Sequence, residues 1–153
     1  MAEIVPTFES VSESDFDALV QLRIDAMRAS LERVGRFDPA RARERLRKTF
    51  QPDATHWVVF HGEKIGFYAM RRIANGYSLD HLYVLPKHQR LGFGGQVLDM
   101  LKAKAVREGL AIRVGALRES DSNRFYERAG FQKISEDEWD IYYMFGRSFP
   151  SET

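Results

Sequence analysis

Residues 88–95 read His-Gln-Arg-Leu-Gly-Phe-Gly-Gly and lead into the apolar positions Val97, Leu98 and Leu101. A glycine-rich turn that opens a helix presents unpaired N–H groups and a partial positive charge. Gly92, Gly94 and Gly95 let another molecule come close to that backbone. The chemistry on offer is anion binding, and a phosphate or pyrophosphate is the natural guest. Gln89 and Arg90 add side-chain donors. Two known phosphate motifs do not fit. A dinucleotide fingerprint needs glycine where Val97 stands, and a P-loop needs Gly-Lys-Ser/Thr where the chain has Gly94-Gly95-Gln96. On the loop alone, a phosphate site and a ligand-free turn both stand.

Other side chains capable of chemistry are scattered. Asp80 and His81 are neighbours in an extended run, so they point to opposite faces, Asp80 with Ser78, Leu82 and Val84. The run from Gly76 to Asp80 lacks the second glycine of a nucleophile elbow. With no cysteine there is no thiolate nucleophile and no disulfide. His56, His61, His81 and His88 have no metal-ligand spacing, and no metal is expected. Arg36, Arg41, Arg43, Arg45, Arg47 and Lys48 crowd into 36–48 beside Asp38 and Glu44. That segment could bind RNA or an acidic peptide, but a net charge of +1 favours a solvated helix face. Phe37, Phe50 and Trp57 suit an acceptor pocket or a plain core equally well.

These residues need elements to position them. At 153 residues the chain is sized for one core, so a single domain over 1–153 is expected, with its core at 3–146 and a frayed tail at 147–153. A 44% hydrophobic and 29% charged composition is that of a soluble globular protein. The segment MAEIVPTFES is not a signal peptide, and no apolar run is long enough for a membrane span, so a cytoplasmic location is expected.

A strand is expected at 3–8. Residues 12–34 carry apolar side chains at helical spacing (Phe16, Leu19, Leu22, Met27, Leu31, Val34), with a serine cap before them and Gly35 after. Asp38-Pro39 caps a second helix over 39–49. Residues 55–86 turn to β-branched and aromatic types, giving strands at 56–61, 65–73 and 77–85, with turns at His61-Gly62-Glu63-Lys64 and Ala74-Asn75-Gly76. Pro86 stops the third strand. A helix follows to Glu108, then a strand at 110–117, a short helix at 120–130, and a last strand pair. The order is β-α-α-β-β-β-α-β-α-β-β. It implies an α/β (α+β) fold with a mixed sheet of about seven strands and helices on both faces.

With that order in hand, "LDHLYVLPKHQRLGFGGQVLDMLKAKA" resembles the acyl-CoA-binding segment of the GNAT family of N-acetyltransferases. The family loop Q/R-x-x-G-x-G/A is matched by Gln89 to Gly94, and a strand of "LYV-x-P" type by Leu82 to Pro86. "SNRFYERAGF" (122–131) resembles the family's final short helix. Arg90 stands where many members carry another glycine. The resemblance spans nearly the whole chain. It implies that acetyl-CoA is the acyl donor, with its pyrophosphate on the amides of Arg90, Leu91, Gly92, Phe93, Gly94 and Gly95 beside Gln89. It implies that the pantetheine arm lies along Leu82, Tyr83 and Val84 and contacts Asn123, with the Val84 N–H serving the oxyanion. Tyr126 resembles the family's general acid. Asp80 is the candidate base, acting through water, and His81 the reserve. The acceptor is an amine that the sequence does not name, on a small molecule or a peptide. By analogy a homodimer is expected, pairing along the strand WDIYYMF. The rival readings are a CoA-binding module without catalysis, an enzyme for another acyl-CoA, and an RNA- or peptide-binding domain using 36–48.

Overall fold

The computed structural model describes residues 4–146. The elements are β1 (Thr7–Ser10), α1 (Phe16–Arg33), α2 (Pro39–Thr49), β2 (Thr55–Phe60), β3 (Glu63–Ile73), β4 (Gly76–Val84), α3 (Phe93–Glu108), β5 (Ala111–Leu117), α4 (Ser122–Arg128), β6 (Gln132–Glu136) and β7 (Asp140–Phe145). The expected order and the mixed sheet are both found. The seven strands run β1-β2-β3-β4-β5-β7-β6. β4 and β5 are parallel, as their α3 crossover requires, whereas β1/β2, β2/β3, β5/β7 and β6/β7 are antiparallel. β7 therefore lies between two neighbours. It is not the pairing edge that its apolar sequence suggests, because β6 takes the outside place. The tail at 147–153 lies outside the described residues.

By contact density the chain divides into two compact units. One runs to Ala69 and adds His81–Gly94; the other comprises Met70–Asp80 and the chain from Gly95 onward. The core of the first unit gathers Phe16, Leu19, Val20, Leu22 and Ile24 of α1, Ala42 and Leu46 of α2, and Trp57, Val59 and Phe67 of β2 and β3. Trp57 is part of this core, and the partly buried Phe37 and Phe50 pack against it. In the second unit the buried set includes Leu98, Leu101, Ile112, Val114, Tyr126, Phe131 and Tyr143.

Local chemistry explains the boundaries. Asp38 Oδ1 accepts from the amides of Ala40 and Arg41, so α2 starts where an Asp-Pro pair makes it start. Ser12 donates its amide to Asp15 Oδ2, and this hydrogen bond holds the Asp15 carboxyl below its ordinary range. His61 and Gly62 both have positive φ, the primed turn that matches strand twist. The next hairpin differs from the sequence reading. Its two loop residues are Ala74 and Asn75, and Gly76 is already the first residue of β4.

Part of the basic segment is ion-paired. Arg43 pairs with Asp17 and Arg47 with Glu13, and both guanidiniums lie over the Phe16 ring. No helix of the described residues is long and apolar enough to cross a membrane.

Candidate active site

Strand β4 and the first turn of α3 set the geometry. β4 pairs with β5 from Gly76↔Ala111 to Leu79↔Val114, yet β4 itself runs on to Val84. Leu85 closes the strand by donating its amide to the Ile65 carbonyl at 2.8 Å. Gly66 sits where a side chain has no room, since a Cβ there would lie 2.1 Å from the Tyr83 carbonyl oxygen. This glycine lets two strands approach at the height of Tyr83 and Val84.

After Val84 the chain makes a short 3-10 turn at Pro86–His88. Arg90 and Gly92 both take left-handed φ, +68° and +90°. Phe93 then turns inward, 1% exposed, against the rings of Phe60 and His88. The loop is thus anchored by one aromatic side chain and leaves Arg90, Leu91 and Gly92 exposed. Gln89 spends its amide nitrogen on the Val84 carbonyl at 2.8 Å, tying the loop back to β4. Gly95 does not have left-handed φ, and a Cβ on it would meet nothing within 4 Å. No acidic residue occupies the first turn of α3.

The sequence candidates fall into both units. The first brings together His81, Leu82, Tyr83, Val84 and Gln89 to Gly94; the second holds Asp80, Gly95, Asn123 and Tyr126. Asp80 is held by a neighbour that sequence reasoning missed. Arg71 donates through Nε to Oδ2 at 2.7 Å and through Nη2 to Oδ1 at 3.1 Å, and the Ser78 hydroxyl adds 2.7 Å. The signal was an arginine and an aspartate flanking one hairpin turn.

His81 is buried, with Nδ1 2.9 Å from the Tyr83 hydroxyl and its ring among those of Phe67 and Tyr83. Burial, helped by the charges of Arg23 and Arg45, lowers its pKa to about 3. The ring is therefore neutral at physiological pH. Its folded pKa lies below the unfolded value, so it contributes stability above the unfolded pKa that is lost as pH falls. Between about pH 6.5 and 3 the unfolded chain binds a proton here and the folded chain does not. A His81→Gln variant should accordingly lose less stability than the parent from neutral pH to about pH 5 in chemical denaturation. Equal losses would show that His81 titrates normally.

Asn123 is engaged inside the chain. Its Nδ2 donates to the carbonyls of Leu117 (2.9 Å) and Ser120 (3.0 Å), and its Oδ1 accepts from the Tyr143 hydroxyl (2.8 Å). It braces the β5–α4 corner, with one carbonyl lone pair left over. Tyr126 is 5% exposed and packs on Phe125, Phe131 and Tyr143.

The family model described as an acetyltransferase (GNAT) domain matches residues 52–133, more than half of the chain, from β2 through α4 to the start of β6. The chain belongs to the GNAT acetyltransferase family. This GNAT protein is an acyl-CoA-dependent N-acetyltransferase. Among solved structures, a PaiA N-acetyltransferase from Thermoplasma acidophilum in complex with coenzyme A superposes with a TM-score of 0.75 at 17% identity, over 96% of this chain and 100% of that one. An acetyltransferase from Thermus thermophilus gives 0.75 at 15%, over 96% and 100%. The ribosomal-protein-S18-alanine N-acetyltransferase from Escherichia coli gives 0.68 at 16%, over 95% and 96%. At these identities the likeness is one of fold. No curated protein matches the sequence.

Proposed function

We propose that this GNAT enzyme transfers the acetyl group of acetyl-CoA directly to a primary amine, with the donor's pyrophosphate on the Arg90–Gly95 amides. The observation that carries this reading is Gly95. Neither backbone conformation nor packing within the chain calls for glycine there. A helical glycine with no such need costs up to about 1 kcal/mol against alanine. The open space over a helix start free of acidic side chains is where an anion fits, and the family supplies one.

In this proposal the pantetheine arm extends β4 along Leu82–Val84, beyond the Leu79↔Val114 pairing with β5. Gly66 supports it by fixing the Tyr83–Val84 backbone. The Val84 N–H is assigned to the thioester oxygen. One such donor is worth about 3 kcal/mol of transition-state stabilisation. The amine nitrogen bonds to the carbonyl carbon, the C–S bond breaks, and the thiolate leaves. Tyr126 gives the thiolate its proton and Asn123 contacts the pantetheine arm, both assignments resting on likeness to the family positions. The amine's proton goes through water to Asp80. His81 is left as a donor, because a ring with a pKa of about 3 holds no extra proton near neutrality.

Asp80→Asn should lower kcat about a hundredfold, the usual scale for a lost general base. Arg71→Met removes the same ion pair but keeps the carboxylate, so its kcat should stay within a few fold. Equal losses in both variants would reduce Asp80 to a structural partner of Arg71.

Calorimetric titration with acetyl-CoA, with NADPH and ATP as controls, tests the whole reading. Selective binding, followed by thiol release with an amine panel, is expected. A folded protein that ignores acetyl-CoA would sink it. The RNA-binding rival loses support from the Arg43–Asp17 and Arg47–Glu13 pairs, which offset charge that phosphates would need.

A further inference from the structure

Arg23 of α1 is 6% exposed. Its Nε donates to the Tyr83 hydroxyl oxygen at 2.9 Å and its Nη1 to the Ala42 carbonyl at 3.1 Å, with the guanidinium carbon 5.7 Å from the Tyr83 ring centre. Among the described residues no carboxylate pairs with it. A buried cation without a counter-charge is costly.

The same network fixes the protons on His81. Arg23 can only donate, so the Tyr83 oxygen accepts from it. The Tyr83 hydroxyl proton then goes to the other atom in reach, His81 Nδ1 at 2.9 Å. A neutral imidazole that accepts at Nδ1 carries its hydrogen on Nε2. His81 Nε2 is buried with no hydrogen-bond partner. One hydroxyl thus joins a guanidinium lacking an anion to an N–H lacking an acceptor, all within the first unit. An oxyanion is one kind of group that would meet both deficits. An acceptor bearing only amines would meet like charge from Arg23.

We propose, building on the acetyltransferase reading above, that the acceptor amine also carries a carboxylate, which takes the His81 Nε2–H hydrogen bond and offsets the Arg23 charge. The substrate class is then an amino acid or a peptide with a free carboxyl group near the amine. Arg23 and His81 set specificity, and Tyr83 holds both in register.

The first test is an NMR titration of the nitrogen-15-labelled protein with propionate, with propionamide as the neutral counterpart. Propionate should shift the His81 Nε2–H resonance saturably, propionamide should not, and Arg23→Met should abolish the shift. No saturable shift with propionate, or an equal one with propionamide, overturns the proposal. Arg23→Met replaces a buried charge by an apolar chain of similar length, so its melting temperature should hold or rise. If that variant fails to fold, His81→Gln, which keeps an N–H donor, should retain a propionate-dependent shift of the Arg23 Nε–H resonance, and His81→Phe should lose it. The same response in both overturns the proposal.

The second test measures thiol release with amino acids and their carboxamides. The acid should be favoured by about tenfold or more in kcat/KM, the scale of one charge-assisted hydrogen bond. The ratio should fall to about one in Arg23→Met, and a ratio near one in the parent protein overturns the proposal. Failure to bind acetyl-CoA would sink the acetyltransferase reading and leave the propionate titration to decide this one.

Discussion

Replacing Gly95 by valine is expected to weaken acetyl-CoA binding about a hundredfold or more and to leave thermal stability unchanged or slightly raised. The two halves rest on separate observations. Stability holds because the added side chain enters open space and the backbone there is not left-handed. Valine is also a better helix former than glycine by a few tenths of a kcal/mol. Binding falls because that same open space is the proposed seat of the pyrophosphate. Branched carbon over the first turn of α3 would hold the phosphates off several backbone donors at once. Losing two charge-assisted hydrogen bonds of about 1.5 kcal/mol each already gives a hundredfold. Calorimetry supplies the affinity and a thermal melt the stability. Unchanged affinity in a folded variant would return the loop to a ligand-free turn. Gly92 makes a poorer probe, because its φ of +90° is a conformation valine resists.

Tyr126→Phe should lower kcat about 10²- to 10³-fold with little change in acetyl-CoA affinity, the magnitude of a lost general acid. The ring remains to pack on Phe125, Phe131 and Tyr143, so lost ring packing would not explain lost turnover. Full activity in the variant would hand the thiolate's proton to water and leave Tyr126 as a core residue.

What the sequence displayed and what it concealed divide along a physical line. Features encoded within a few residues were readable. Asp38-Pro39 starts α2, Gly109 and Gly130 end α3 and α4 with left-handed φ, and Pro86 stops β4. The glycine loop was visible for the same reason. Features that depend on which segments meet across the fold were not. Nothing around Arg23 announces that a charged residue on α1 is buried beside a tyrosine sixty positions away. The Arg71–Asp80 pair exists only once the hairpin has brought the two residues together. The placement of β7 between β5 and β6 reverses the chain order, so an apolar strand that looked like an edge is an interior one. The bonds that Asn123 donates to the carbonyls of Leu117 and Ser120 were also hidden, because they depend on how the β5–α4 corner folds.

The outermost strand carries a consequence for how the protein behaves when concentrated. All five residues of β6 are exposed, its register with β7 slips between Lys133 and Ser135, and Glu136 is held by Arg118 and Lys133. Hydrogen bonds from Lys133 and Arg118 and their charges pull the Glu136 carboxyl down to about 2. A strand from another molecule seeking to extend the sheet would find a broken ladder and fixed charges in place of a flat apolar template. At this end the slipped register and the fixed charges work against edge-to-edge pairing between the sheets of two molecules.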